Sequence, residues 1–310
     1  MYYLSKENCC RRNNIKVNQK IRQFKKPLQL FAIYLLLSFI LACAIFNISA
    51  QEAIFNENID AADEEQRKAK AKEEKKNRIS AALSNSKIPG QISDKIIENI
   101  TEDGGFISDL QIIIELDHGL WILVDKEHAL AREFEPNDLV VLRSASYTVN
   151  DNNLLLRRAA AASLEEMAVA ARAERIVLVI SYAYRSFARQ TQSYEMHVRN
   201  WGQREADRFS ARPGHSQHQL GTVVDFDSVT DAFARTPQGR WLVSNASRFG
   251  WSLSYPDGYE AITGYKWESW HYRYVGIEVA DFIDKYFNGI QQYALKFIYE
   301  YINYPERTEE

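Results

Sequence analysis

Hydrophobic positions along this chain change rhythm several times, and each rhythm predicts a different element. Leu28 to Ile48 is a nearly unbroken apolar run, interrupted only by Gln29, Tyr34, Ser38 and Asn47. Its length is close to the roughly 20 residues that a helix needs to span a bilayer. From Gln51 to about Arg78, Ala, Glu, Lys and Arg dominate, with both charge signs at helical spacing. That pattern predicts a solvated helix or semi-rigid stalk with no face to bury. Beyond Ile88-Pro89-Gly90 the sequence reads as a folded domain. Leu156, Ala160, Leu164, Met167 and Ala171 recur at spacings of three and four, predicting a helix over 156–175. The continuous, β-branched run Ile176–Ile180 predicts a buried strand. Further helices are predicted over 187–205, over 236–249 with Gly250 as the stop, and from Val279 onward. Short strands are predicted at 112–115, 120–124, 222–226 and 270–275, the first two joined by a turn at Asp117-His118-Gly119. Helices and short strands mix without regular βαβ repetition. The expected class is therefore α+β, a small, mainly antiparallel sheet packed with helices.

Charge sharpens the reading of the first segment. Lys6, Arg11, Arg12, Lys16, Lys20, Arg22, Lys25 and Lys26 precede the apolar run, with only Glu7 opposing them. A basic leader before such a run is an export signal or an N-terminal membrane anchor. Ser49-Ala50 before Gln51 would suit a signal peptidase. Ile40-Leu41-Ala42-Cys43 is a loose lipobox-like string, although apolar residues continue after the cysteine. The expected organisation is a leader with signal or anchor at 1–50, a charged linker at 51–87, and a folded domain at 88–310. A coiled coil in the linker would need sustained apolar a/d positions, which are missing. Each version of the leader puts the rest of the chain outside the cytoplasm, in the periplasm or cell envelope.

The composition, 46% hydrophobic and 25% charged, is that of an ordinary globular protein. A net charge of −3 argues against a nucleic-acid binder, which needs a basic excess. Cys9, Cys10 and Cys43 all lie in the leader. The remainder has no disulfide available, and any metal there must be bound through nitrogen and oxygen.

Two short pieces satisfy that condition. Ser216-Gln217-His218 leads through Gly221 to Asp225, and Glu268-Ser269-Trp270-His271 follows later. Two imidazoles and one carboxylate can hold a catalytic zinc, with an open position for water, while a second carboxylate moves protons. If 222–226 is a strand, Asp225 points the same way as Val223 and Asp227, and Gly221 supplies the bend that turns His218 back to that face. In a regular strand Glu268 and His271 would point to opposite faces. Both reach one site only if Glu268 lies in the loop before the strand or at a bulge. From the residues alone, either carboxylate could be ligand or base.

The surroundings carry a resemblance. Tyr184-Arg185-Ser186 with Gln190, then Ser216-x-His218-x-x-Gly221-x-x-x-Asp225, then Glu268-x-Trp270-His271-Tyr272-Arg273-Tyr274, is similar to the VanY-type D-alanyl-D-alanine carboxypeptidases. These are zinc peptidases that share a fold with the hedgehog signalling domain. The flanks Arg212-Pro213-Gly214-His215 and Ile262-Thr263-Gly264-Tyr265 agree, and the resemblance runs from about Trp121 to Gly276. It implies His218, Asp225 and His271 as ligands of one Zn2+ and Glu268 as the catalytic base. It implies that Arg185 stabilises negative charge on the substrate or transition state, and that Ser216 and Gln190 contact substrate or shape the site. The implied substrates are peptidoglycan stem peptides, trimmed of the terminal D-alanine. The chain departs from the family pattern at Ser269, usually Pro, and at Gln217, often acidic. Neither removes a ligand or the base.

Three other readings compete. An L,D-carboxypeptidase or a peptidoglycan endopeptidase could use the same zinc site, because surrounding loops choose the bond. A non-catalytic wall-binding module would require Glu268 to be misplaced. A serine peptidase is spelled only by Ser84-Asn85-Ser86-Lys87, with no K-T-G to follow.

Overall fold

The folded part of the chain starts where apolar residues return at helical spacing after the charged stretch of the first helix. In the computed structural model, which describes residues 7–101, 105–116 and 118–305, that helix is α1 (Glu7–Asn85). Lys6 and Asp117 lie outside the described residues. Contacts divide the chain into two units, Met1–Glu74 and Lys75–Glu310. In the first, Ile33–Glu57 is 25 residues long with a mean hydropathy of 2.2, long and apolar enough to cross a membrane by length and composition. Phe39 and Leu41 are exposed there. Beyond it, Lys68 pairs with Glu64 at 3.3 Å and Lys70 with Glu74 at 3.9 Å, exposed contacts that contribute little.

The second unit begins earlier than the expected boundary at 87/88. Ile79, Ala82 and Leu83 follow helical spacing and are buried, and Arg78 Nε donates to the Tyr301 carbonyl at 2.7 Å. The last turns of α1 are therefore core and not linker. Helices α2 (Gly90–Thr101) and α3 (Phe106–Glu115) follow. α3 corrects the expected strand at 112–115. Phe106, Leu110 and Ile113 make one buried helical stripe, and a short apolar run such as Ile112–Ile114 has no period of its own to tell strand from helix. The expected strand at 120–124 is likewise not formed. A 3-10 turn at His118–Leu120 passes into chain without ladder pairing.

A hairpin-like pair, β1 (Leu139–Val141) with β3 (Leu155–Arg157), precedes α4 (Arg158–Ala173). The main sheet has five strands in the order β2 (Thr148–Val149), β4 (Val179–Tyr182), β5 (Val223–Phe226), β7 (His271–Tyr274) and β6 (Trp251–Leu253). Only β2–β4 is parallel, so the sheet is mainly antiparallel as expected. β4 starts three residues later than the apolar run suggested. Arg175 takes a left-handed φ of 64° and Ile176 N still bonds back to Ala171 O, so the helix terminus consumes the start of the run. The expected helix over 187–205 is broken into α5 (Phe187–Trp201) and α6 (Gln203–Phe209) by Gly202 at φ 78°. α7 (Pro237–Asn245), α8 (Glu260–Thr263), α9 (Ile277–Phe287) and α10 (Gln291–Ile302) complete the unit.

Two apolar cores hold these elements. One joins the end of α1 to α2, α3, α9 and α10 through Ile79, Phe106, Phe282 and Phe297. The other packs α4 and α7 on the sheet through Leu156, Leu164, Ile180, Val224 and Tyr272. Alternation along β5 and β7 sends Val224 and Tyr272 into this second core. Their neighbours Asp225 and His271 face the other way. The sheet thus has one greasy face and one face free for chemistry.

Candidate active site

The site is built on the two central strands. β5 and β7 run antiparallel with Asp225 directly opposite His271. Just before β5, Gln217–Leu220 forms a 3-10 turn that ends at Gly221, φ 67°. The left-handed backbone angle there favours glycine, and a Cβ would press on Leu139 Cδ2 at 2.9 Å and Arg157 Cγ at 3.1 Å. This turn returns His218 to the strand face.

His218 Nε2 lies 3.2 Å from Asp225 Oδ2, and His271 Nδ1 lies 3.1 Å from Asp225 Oδ1. The rings of the two histidines cross at 86° with centroids 5.0 Å apart. One donor atom from each of His218, Asp225 and His271 falls within 4.8 Å of the others, and all three residues are buried. The far side of each imidazole is also occupied: His218 Nδ1 is 2.7 Å from Ala183 O, and His271 Nε2 is 3.3 Å from Gln217 Oε1. Asp225 Oδ1 is buried without a hydrogen-bond partner of adequate geometry. Two oriented imidazole nitrogens and an under-satisfied carboxylate oxygen, with no thiolate, fit a zinc ion.

Glu268 lies in the loop before β7, where Ser269 and Trp270 form a turn and the strand begins only at His271. The irregular approach demanded by strand parity is present. Glu268 N bonds to Tyr255 O at 3.0 Å, and its Oε2 comes within 3.3 Å of His271 Nδ1. Burial pushes the Glu268 carboxyl above its ordinary pKa, with His271 and Arg185 pulling the other way. Burial also opposes ionisation of Asp225, but His218 and His271 outweigh it and hold that carboxyl well below the carboxylate range. The two carboxyl groups are thus pushed apart, Asp225 below the ordinary carboxylate range and Glu268 above it. Burial lowers the His218 pKa. For His271 burial is outweighed by the adjacent carboxylates of Asp225 and Glu268, which raise it to about 9.

Arg185 projects from the loop between β4 and α5. Its Nη1 donates to Gln190 Oε1 at 3.1 Å, and Gln190, itself buried, donates to Ala211 O at 2.6 Å. The guanidinium carbon also lies 5.6 Å from the Tyr182 ring centre. Its charge contributes to the shifts of both His218 and Glu268, which puts it in the electrostatic reach of the cluster. Its partner on α5 is a neutral amide. Ser216 is buried just ahead of the 3-10 turn, and its carbonyl accepts from Gln219 N at 3.1 Å.

Other histidines have separate employment. His215 Nδ1 meets Asp125 O at 2.7 Å, His128 Nδ1 meets Asp125 Oδ1 at 2.8 Å, and His197 packs edge-on against Phe209. The side chain of His118 lies outside the described residues. Reading the sequence alone missed Tyr255, whose ring lies tilted against His271 with centroids 4.7 Å apart, and the Ala183 carbonyl that orients His218. A backbone carbonyl leaves no trace in residue type, and Tyr255 is one of many tyrosines in the chain.

Comparison with known proteins places these features in a wider group. A family model described as "VanY: D-alanyl-D-alanine carboxypeptidase" matches residues 153–277. YodJ of Bacillus subtilis (strain 168) is 34% identical over 190 residues, which cover 59% of this chain and 70% of that protein. A D-alanyl-D-alanine carboxypeptidase of Enterococcus faecalis (strain ATCC 700802 / V583) is 35% identical over 126 residues, 38% of this chain and 47% of its own length. The chain therefore spans about half of that enterococcal enzyme. Among solved structures, the vancomycin-resistance D,D-dipeptidase VanXYg, bound to a D-Ala-D-Ala phosphinate analogue, superposes with a TM-score of 0.50 at 24% identity. The match covers 58% of this chain and 71% of that one, and it shows a shared fold.

Proposed function

The chain belongs to the VanY family of D-alanyl-D-alanine carboxypeptidases, and from that membership we propose that it is a zinc carboxypeptidase removing the terminal D-alanine from peptidoglycan stem peptides. The observation that carries this reading is the convergence of His218 Nε2, Asp225 and His271 Nδ1, with Glu268 Oε2 3.3 Å from the same His271 nitrogen.

In this reading His218, Asp225 and His271 would hold the zinc, which when bound would supply a Lewis acid for the scissile carbonyl and a water of pKa about 7. Glu268, with its pKa raised, takes a proton from the attacking water and later delivers it to the departing amine nitrogen of D-alanine. Arg185, held by Gln190, offers a fixed guanidinium to the substrate carboxylate or to negative charge developing at the reacting carbon. Gln190 shapes the site through Arg185, and Ser216 lines it ahead of the ligand-bearing turn. The apolar segment Ile33–Glu57 acts as a signal or anchor, presenting the catalytic unit to the cell wall.

The test is mass spectrometry of purified muropeptides after incubation with the protein, with and without a chelator. Pentapeptide should lose one alanine only in the unchelated sample. Intact pentapeptide together with a shortened tetrapeptide would replace this specificity by an L,D one.

A further inference from the structure

Behind His271, on the side away from Asp225, a chain of buried amides ends on a backbone carbonyl. Gln217, Ser254 and Gln291 are all at most 4% exposed. Gln291 Nε2 donates to Ser252 O at 3.3 Å. Gln217 Nε2 donates to Gln291 Oε1 at 3.5 Å, and Ser254 Oγ donates to Gln217 Oε1 at 2.8 Å. Gln217 Oε1 then faces His271 Nε2 at 3.3 Å.

The direction of this chain is not free. A carbonyl oxygen can only accept, so Ser252 O draws the NH2 of Gln291 toward itself and turns Gln291 Oε1 inward. That oxygen in turn draws the NH2 of Gln217, leaving Gln217 Oε1 toward the imidazole. An oxygen there accepts a hydrogen bond from Nε2–H and leaves the Nδ1 lone pair on the side of Asp225 and Glu268. If Gln217 were reversed, its NH2 would meet Nε2. The proton would then favour Nδ1, the nitrogen needed for the metal.

The geometry points to Gln217 and Gln291 as positioning residues that set the tautomer and orientation of His271 for metal binding, with polarity pinned by the Ser252 carbonyl. This rests on the reading of His271 as a ligand but goes beyond the peptidase assignment. Gln217 comes from the turn before β5 and Gln291 from the first turn of α10, so the C-terminal helix acts on the metal site without touching the metal. A histidine ligand is commonly oriented by an acceptor on its other nitrogen, and loss of that acceptor costs about 10–100-fold in metal affinity or activity.

The experiment is zinc affinity, measured on the full chain by competition with a chromophoric chelator. Gln217→Met, which removes the acceptor at similar volume, should weaken zinc binding by about 10–100-fold. Gln291→Met should weaken it by a smaller factor, because Gln217 loses its directional anchor. The double variant Gln217→Glu with Gln291→Met should bind more tightly than Gln291→Met alone, because both carboxylate oxygens accept and neither then faces Gln291 Oε1, a rescue that general loss of packing would not produce. In zinc-loaded protein, 15N spectra should find the remaining His271 proton on Nε2. Unchanged affinity in Gln217→Met, failure of the rescue, or a proton on Nδ1 overturns the proposal. Absence of zinc binding by the unaltered protein overturns the metal reading and this one together. Failure of the muropeptide digest with normal zinc binding overturns only the peptidase reading.

Discussion

Asp225 and His271 stand directly opposite each other on antiparallel neighbours β5 and β7, with Oδ1 3.1 Å from Nδ1. Their juxtaposition depends on register. A slip of one residue would turn either side chain to the opposite face, where Val224 and Tyr272 fill the core. The apolar core behind the sheet is therefore what aligns the polar pair in front of it. Asp225→Ala should preserve that register, since alanine fits the position, while removing one proposed metal ligand. Zinc titration should find markedly weaker binding with an unchanged far-ultraviolet circular dichroism spectrum.

Glu268 tests the division of labour between carboxylates. Glu268→Gln keeps size and the backbone bond to Tyr255 O but cannot accept a proton. Steady-state assays with a D-Ala-D-Ala-terminated peptide should show turnover reduced by about 10²–10⁴-fold, the usual contribution of a general base. Zinc affinity should stay within a few-fold of the unaltered protein. Full turnover in this variant would remove Glu268 from the base role.

Arg185→Lys keeps the charge but discards the planar fork held by Gln190 Oε1. The expected outcome is a fall of about 10²-fold in kcat/KM, comparable to the loss of one oriented donor, at unchanged zinc affinity.

Gly221 links backbone to chemistry. Gly221→Ala would place a Cβ 2.9 Å from Leu139 Cδ2 at a backbone φ of 67°. Urea unfolding should show a loss of about 1–3 kcal/mol, from strain at a left-handed residue together with overpacking. Gly258, also left-handed but with open space around the missing Cβ, serves as the control: alanine there should cost less.

Asp125 predicts a pH effect remote from the metal. Its buried carboxylate accepts from His128 Nδ1, from the backbone N–H groups of Glu127 and His128, and from Gln292 Nε2. Burial opposes its ionisation, but the hydrogen bond from His128 and the backbone bonds prevail and hold its pKa below the ordinary value. A depressed folded pKa contributes stability that is present above the unfolded pKa of about 3.9 and is lost as pH falls through the folded value. Asp125→Asn should therefore be less stable than the unaltered protein by about 1.5–3 kcal/mol at pH 7, and the gap should narrow below pH 4. Thermal melts at pH 3, 4 and 7 measure it.

Local patterns in the chain were enough for much of this molecule. The helical stripe from Ala160 to Ala171, the strand at 222–226 and the glycine stop at Gly250 all appear near their expected places, because each depends on side chains or backbone angles a few residues apart, whereas Leu156 went to β3. The motif spacing likewise required an irregular approach to His271, and Glu268 sits in such a loop. Local patterns failed where a short apolar run had two possible homes. Ile112–Ile114 went to a helix because Phe106 and Leu110 share its stripe, and the Ile176 run lost its start to the end of α4.

By itself the sequence determined which atoms are available: two imidazoles, separate carboxylates, a guanidinium, no thiol outside the leader, and glycine where the turn needs it. Tertiary structure decided how those atoms are aimed. Strand register put Asp225 across from His271, the Ala183 carbonyl turned His218, and an amide of α10 reached the far side of His271 through Gln217. Hydrogen-bond direction and strand register arise between segments far apart in the chain, so no local pattern of residue types records them.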